Sequence, residues 1–332
     1  MKRIAFFNNK GGVGKTTLVY HLAHRLADGG LSVLLLDLDP QSNLTAMCLS
    51  EDRLEALWPA STEHPETVLG CVQPILRGLG DVATPHLEHL REPSLLPGGL
   101  ALLPGDLGLS AFEDKLSDAW PRALDRDESA FRILSAFHRT AEVAGQRVNA
   151  DIAFIDVGPN LGAINRAALL AADYVITPLA PDLFSMQGLR NLGPTLARWR
   201  EGWRERLLKN PDPTLPLPDG RMEPIGYVVM QAAMRLSRPV RAYETWVARI
   251  PEEYRNSVLR EPGSPPLTPA LDPWRLGLMR HYQSLMPLAQ DAQKPMFHLR
   301  PADGAIGAHM NSVLRCREDF DQLVEAVLGR IS

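Results

Sequence analysis

The 332-residue sequence is poor in cysteine and has no long apolar run. Its three cysteines, Cys48, Cys71 and Cys316, are widely separated, which is typical of a reducing cytoplasm and not of a disulfide framework. No stretch approaches the roughly 18 apolar residues that a transmembrane helix needs, and the N-terminus has no apolar signal segment. We therefore expect a cytoplasmic protein that does not associate with membranes.

Strong charge of one sign is also absent, because the formal net charge is only −4. No overall field drives the protein onto nucleic acid, so any DNA contact has to come from a local basic patch. The 45% hydrophobic content is enough for a large core, and the length allows one large domain or two.

The most informative segment is Asn-Lys-Gly-Gly-Val-Gly-Lys-Thr-Thr at residues 9–17. It follows an apolar strand pattern and precedes a helical one, which is the context of a phosphate-binding P-loop. Its glycines let successive N–H groups turn inward around phosphate oxygens, and the helix N-terminus adds partial positive charge. Lys15 is predicted to reach the β- and γ-phosphates, and the Thr16 hydroxyl to bind Mg²⁺. The predicted nucleotide-binding residues of the loop are Lys10, Gly11, Gly12, Val13, Gly14, Lys15, Thr16 and Thr17.

Two further apolar strands end in carboxylates. Residues 32–37 lead into Asp37-Leu38-Asp39-Pro40-Gln41-Ser42-Asn43, and residues 151–155 lead into Asp156. A carboxylate at the end of such a strand lies in the crevice where open α/β sheets bind ligands. Asp156 has the Walker B form, in which the acid holds Mg²⁺.

Lys10 narrows the class of P-loop protein to which the sequence points. With this lysine, Lys-Gly-Gly-Val-Gly-Lys-Thr-Thr resembles the deviant Walker A motif of the ParA/MinD family of P-loop ATPases. Relatives of that family include the nitrogenase iron protein. The resemblance implies ATP and Mg²⁺ as cofactors and a homodimer in which Lys10 reaches the partner's nucleotide. It assigns to Asp39 the orientation or activation of the attacking water, and places Asp37 behind it near Mg²⁺.

The chain departs from the family pattern at two places. Ser42 stands where the Asp-x-Asp-Pro-Gln-Gly-Asn segment has its glycine, and Asp156-Val157-Gly158-Pro159 replaces the usual Asp-Thr-Pro-Pro. The second change removes a threonine hydroxyl near the nucleotide, which bears on hydrolysis more than on ATP binding.

The order of strand and helix patterns predicts the fold. Alternation of the two implies right-handed crossovers and a doubly wound, mostly parallel sheet flanked by helices. We expect a single domain over residues 1–332, with family-variable helical or loop insertions at about 50–100 and 205–290. The predicted strands are 3–8, 32–37, 100–103, 151–156, 173–178, 224–230 and 295–299.

Outside these motifs, further segments carry expectations about base contacts and core packing. By resemblance, Gln231 reads the adenine and Ile250-Pro251 passes beside its ring. Trp199 and Trp203 fall on an apolar helical stripe and are expected to pack in the core. A helix over about 310–330 carries mixed charges on its polar face, which favours a docked core helix over a membrane-surface helix.

Two arginine-rich clusters are candidate DNA contacts. The first, Arg198, Arg200, Arg204, Arg206 and Lys209, has glutamates among its members and fits a solvated helix face equally well. The second, Arg235, Arg238 and Arg241, is the better candidate because no acid follows until Glu244.

The resemblance favours a slow, partner-stimulated ParA-type ATPase. Such an enzyme binds DNA without sequence preference, associates with the nucleoid, and partitions a plasmid or chromosome with a ParB-like activator. Two alternatives use the same dimer switch: an ATP-gated module that controls a neighbouring effector, for example in phage defence, and the positioning of a protein cargo.

Overall fold

The structure is a computed structural model that describes residues 1–60, 63–91, 98–230, 240–263, 268, 270–282 and 284–331. Its centre is an eight-stranded sheet in the order β3-β4-β2-β5-β1-β6-β7-β8. The strands are β1 (Lys2–Phe6), β2 (Val33–Asp37), β3 (Glu88–Arg91), β4 (Leu100–Leu103), β5 (Ile152–Asp156), β6 (Tyr174–Leu179), β7 (Glu223–Met230) and β8 (Arg275–Met279). Only β3 runs antiparallel to its neighbour, so the prediction of a mostly parallel sheet is confirmed.

Helices cover both faces of the sheet. They are α1 (Lys15–Asp28), α2 (Asn43–Cys48), α3 (Glu51–Leu57), α4 (Val68–Leu76), α5 (Phe112–Arg122), α6 (Glu128–Leu134), α7 (Ala136–Arg147), α8 (Ala163–Leu170), α9 (Leu183–Leu207), α10 (Val240–Glu253), α11 (Met286–Asp291) and α12 (Ala308–Ile331). A π-helical turn at Tyr254–Leu259 follows α10.

The two cores follow from the alternation of side chains along each strand. In β1, Ile4 and Phe6 pack into the core beneath α1 and α12, whereas Ala5 points into the core beneath α5 to α9. Because both faces are covered, the central strands read as continuous apolar runs.

Most predicted strands are confirmed, and one is wrong. Residues 295–299 do not join the sheet: Met296–His298 is a short 3₁₀ helix, and the Met296 N–H donates to the side chain of His21 instead of to a strand. The predictions missed β3, a polar edge strand, and β8, which is interrupted by Gly277. A methyl group on Gly277 would lie 3.3 Å from Leu323 Cδ1 of α12, so the glycine lets this helix approach the sheet closely.

The helix predictions are confirmed. Trp203 is fully buried and Trp199 nearly so, and the final helix is docked on α1 and β8. Within the described residues, no helix combines the length and the apolar character needed to cross a membrane.

Ser42, where the resemblance expects glycine, has a left-handed backbone with φ 51° and ψ 31°. This conformation costs a residue with a side chain about 1–2 kcal/mol. The residue is fully buried, and its hydroxyl has no hydrogen-bond partner among the described residues. Ser42 therefore carries both backbone strain and an unpaired polar group.

We expect Ser42→Gly to raise the free energy of unfolding by about 1 kcal/mol, because relief of the strain and of the unpaired hydroxyl exceeds the added entropy of glycine in the unfolded chain. Urea denaturation of the two proteins measures this. Ser42→Ala is the matched control: it removes the hydroxyl but keeps the strain, and should gain less. A less stable Ser42→Gly would contradict the argument.

Candidate functional site

The loop between β1 and α1 forms one wall of a cavity of about 600 Å³. Gly12 and Gly14 have φ values of 72° and 86°, and Gly14 is the N-cap residue of α1. These positive values turn the backbone around the end of the helix, which only glycine does without strain. The cavity lining includes every predicted loop residue, namely Lys10, Gly11, Gly12, Val13, Gly14, Lys15, Thr16 and Thr17.

Asp156 at the end of β5 connects the P-loop to the sheet. One carboxylate oxygen is paired with Lys15 Nζ, and the other accepts a 2.8 Å hydrogen bond from Thr16 Oγ1. Asp156 is fully buried and the Lys15 side chain is 9% exposed, so water screens this ion pair little. The structure thus brings together three of the predicted phosphate and metal residues.

Asp37 lies directly across from Asp156, because the two strands pair in register at these residues. Its Oδ2 accepts hydrogen bonds from the N–H and the hydroxyl of Thr45 at 2.8 and 2.7 Å. Burial, together with the neighbouring carboxylate of Asp156, raises the pKa of Asp37 to about 7. A full second negative charge at this position therefore needs a cation nearby.

Asp39 lies on the wall of the same cavity and is 5% exposed. Its Oδ1 accepts a 3.0 Å hydrogen bond from the Gln41 N–H, which fixes the carboxylate over the turn that follows β2. A methyl group on Gly158 would lie only 3.2 Å from this oxygen, so the loop after Asp156 runs beside it.

Lys10 extends to the start of α9, where its Nζ forms an ion pair with Asp182. Burial raises the pKa of Asp182, but hydrogen bonds from Lys10 and from the Ser185 N–H outweigh it and hold that pKa below its usual value. The Lys10 side chain is 28% exposed. The sequence patterns gave no indication that Asp182 pairs with this lysine.

The expected base contacts, Gln231 and Pro251, are not among the described residues that line the cavity. Gln231 lies outside the described residues. Pro251 is buried within α10, its carbonyl accepts a hydrogen bond from Arg255, and it is not among the described residues that line the cavity. The contact of Pro251 with the adenine stays a prediction.

A second group of residues contacts the P-loop around another cavity, of about 290 Å³, which lies beside Gly12, Gly14 and Thr17. These residues come from the ends of β7 and β8 and from α11, and include Met230, Met279, Tyr282 and Met286. These residues belong to no sequence motif. Recognition of the β8 strand pattern would have been needed to predict that they lie beside the P-loop.

The first arginine cluster is partly used in packing. Arg206 is 6% exposed, stacks on the Trp120 ring at 3.8 Å and donates to the Trp120 carbonyl. Arg200 donates to the Met222 carbonyl. Arg166 stacks on Trp120 at 4.2 Å, and burial together with Arg206 lowers the pKa of Arg166 to about 10. The side chains of Arg235, Arg238 and Arg241 lie outside the described residues.

Comparison with known proteins agrees with this geometry. Residues 1–209 match the model of a family described as an AAA domain, AAA_31. The chromosome-partitioning ATPase Soj of Thermus thermophilus is 31% identical over 216 residues, which cover 62% of this chain and 66% of that protein. The matched regions span 47 to 66% of the length of the curated relatives.

Solved structures extend the likeness along the whole fold. A crystal structure of a Corynebacterium diphtheriae protein, DIP2308, superposes with a TM-score of 0.68 at 26% identity and covers 100% of this chain and 99% of that one. The ATP complex of a Cyanothece McdA variant has a TM-score of 0.61 at 16% identity, covering 98% of this chain and 96% of that one, and shows the shared fold. Because the family model spans most of the chain and the relatives include partitioning ATPases, the protein belongs to the AAA_31 family of ParA-type P-loop ATPases.

Proposed function

We propose that this protein binds Mg²⁺ and ATP in the 600 Å³ cavity, dimerises around the nucleotide, and hydrolyses ATP slowly to control DNA partitioning. One observation carries the proposal: two lysines of a single glycine-rich loop and Asp39 border the same cavity, and one of these lysines, Lys15, is paired with the buried Walker B acid Asp156. Relatives named as partitioning ATPases support the biological role.

The residues around Asp156 fit a magnesium ion. Two buried carboxylates and a hydroxyl are the hard oxygen ligands that Mg²⁺ prefers, and the pKa of Asp37, raised by burial and by Asp156, is consistent with a cation bound beside the pair. Thr16, Asp37 and Asp156 would hold the ion, directly or through water. When bound, the ion neutralises phosphate charge.

Lys15 supplies positive charge to the phosphates of ATP in addition to that of the ion, because its ammonium group lies beside Asp156 at the start of α1. Asp39 is free of any such ion pair among the described residues and faces the cavity. It is therefore the group available to orient the attacking water. The adenine base would extend from the 600 Å³ cavity toward the adjoining second cavity, which Met230 and Met279 line, and the contacts of Gln231 and Pro251 stay predictions.

We expect Asp39→Ala to bind ATP with near-normal affinity while kcat falls by about 100-fold or more, because only water orientation is lost. Lys15→Ala should lose ATP binding itself. Nucleotide binding by fluorescence and steady-state phosphate release measure the two effects. Unchanged ATP affinity in Lys15→Ala would refute the P-loop assignment, and normal turnover in Asp39→Ala would move the water-orienting role to Asp37.

Dimerisation is supported by the surface around Lys10. Four exposed apolar side chains follow the ends of β4, β5 and β6 on the edge of the sheet that carries the P-loop. They are Leu107, Leu161, Leu183 and Phe184, with exposures of 56, 38, 55 and 70%. An apolar patch beside a nucleotide site suits contact with a second copy of the chain.

We expect Lys10→Ala, made in the Asp39→Ala background to prevent hydrolysis, to bind ATP as a monomer but to lose the ATP-dependent dimer. The reason is that the second lysine charge acts on the partner's nucleotide. Light scattering with and without ATP measures the mass. Lys2→Ala, the same charge change at the other end of β1, is the control and should dimerise. An ATP-dependent Lys10→Ala dimer would contradict the role.

DNA binding would depend on dimerisation. A monomer of net charge −4 binds duplex weakly, whereas a dimer presents each arginine patch twice. Counterion release then makes affinity strongly salt-dependent. The proposed partner that stimulates turnover is a ParB-like protein.

We expect the ATP-bound Asp39→Ala dimer to bind duplexes of unrelated sequence alike in a mobility-shift assay. With about six phosphate contacts per dimer, affinity should fall roughly 10³-fold between 50 and 200 mM salt. Replacing Arg235, Arg238 and Arg241 with alanine should weaken binding and spare ATPase activity. Replacing Arg300, Arg315 and Arg317, which changes the charge equally at exposed positions near and within α12, is the control. No binding at low salt would overturn partitioning and favour control of an effector.

A further inference from the structure

The loop between β5 and α8, residues 157–162, forms the wall of the cavity beside Asp39. Gly158 approaches Asp39 so closely that a methyl group there would lie 3.2 Å from Oδ1. Pro159 lines the cavity, and a methyl group on Gly11 would lie 3.8 Å from the Pro159 ring. The position of this loop therefore sets how much room remains around the Asp39 carboxylate.

Asn165, in the first turn of α8, holds this loop. Its side chain is buried, with 1% exposure, and its Nδ2 donates to the carbonyl of Gly158 at 2.7 Å and to the carbonyl of Asn160 at 2.6 Å. Both hydrogens of one amide are thus used on one short loop. The reversed orientation would set the Asn165 carbonyl oxygen against two carbonyl oxygens, so these contacts fix which way the amide points.

The start of α8 is held in turn by Glu113 of α5. Its two carboxylate oxygens accept hydrogen bonds from the N–H groups of Ala163 and Ile164 at 2.5 and 2.8 Å. These N–H groups have no partner within the helix, and a negative charge at a helix N-terminus is favourable. Asn165 therefore holds the 157–162 loop against the N-terminus of α8, which Glu113 fixes in turn.

From this arrangement we infer that Asn165 is a positioning residue for the hydrolysis proposed above. It touches neither the P-loop lysines nor Asp39. It acts by keeping the Gly158 backbone against Asp39, so that the carboxylate and the water that it orients have one geometry. This inference rests on the proposed function, since it concerns the rate that Asp39 supports.

The expected result for Asn165→Ala is a split between rate and affinity. Freeing two loop carbonyls displaces the wall beside Asp39, and displacement of a reacting group by about 1 Å costs on the order of 10²-fold in rate. The contacts of Lys15 and Thr16 with Asp156 do not involve this loop, so the affinity for ATP should change less than about 3-fold, within ordinary scatter for independent sites.

A double-mutant cycle with Asp39→Ala separates positioning from a general loss of structure. If Asn165 acts through Asp39, then Asn165→Ala should lower kcat in the wild-type background and leave the residual rate of Asp39→Ala unchanged. A merely structural role lowers both rates by the same factor. Ser135→Ala is the matched control: it removes a buried side chain whose hydrogen bonds stay within α6 and α7, to Phe131 and Arg139, and should leave kcat unchanged.

Gly158→Ala tests the same contact from the other side and serves if Asn165→Ala does not fold, as judged by circular dichroism. Its methyl group meets Asp39 Oδ1 at 3.2 Å, so kcat should fall with the same lack of additivity. Wild-type kcat in both variants, or additive losses, would overturn the inference. A wild-type protein without ATPase activity that depends on Asp39 would instead overturn the proposed function, which makes the two failures distinguishable.

Discussion

Two buried carboxylates, placed side by side by the pairing of β2 with β5, are the constraint on which the whole site depends. Asp37 and Asp156 are both inaccessible to water, and burial together with the Asp156 carboxylate raises the pKa of Asp37. An ion pair with Lys15 stabilises the Asp156 carboxylate, and hydrogen bonds from the N–H and hydroxyl of Thr45 stabilise the Asp37 carboxylate. The carboxyl edge of the sheet is thus a place where positive charge is required before any ligand is considered.

The buried Asp37 carboxylate also restricts which residues fit in the neighbouring turn after β4. The Thr45 hydroxyl, which donates to Asp37, also accepts a 2.7 Å hydrogen bond from the Gly105 N–H. A methyl group on Gly105 would lie 2.8 Å from Asp37 Cγ, so a larger residue would push β4's following turn away from the acid. Segments far apart in sequence are therefore joined through one carboxylate.

Sequence patterns were sufficient for the parts of the site that lie within one strand, turn and helix. The P-loop, Asp39 and Asp156 could be located because each follows an apolar strand, and strand ends converge in a parallel sheet. The partner of Lys10 could not, since Asp182 comes from a loop 172 residues away and serves locally as the N-cap of α9. The second cavity was missed because β8 contains a glycine for helix packing and no motif, and the strand predicted at 295–299 failed because the Met296 N–H donates to His21.

The contact of Trp120 with both Arg166 and Arg206 restricts how the sequence can vary. Both guanidinium groups lie over the same indole, at 4.2 and 3.8 Å from its centroid, where the ring's negative π-system offsets the repulsion between the two cations. An aliphatic residue at position 120 would leave two partly buried cations facing each other across α5, α8 and α9. Homologues that keep both arginines should therefore keep an aromatic residue here, and those that lose it should lose at least one arginine.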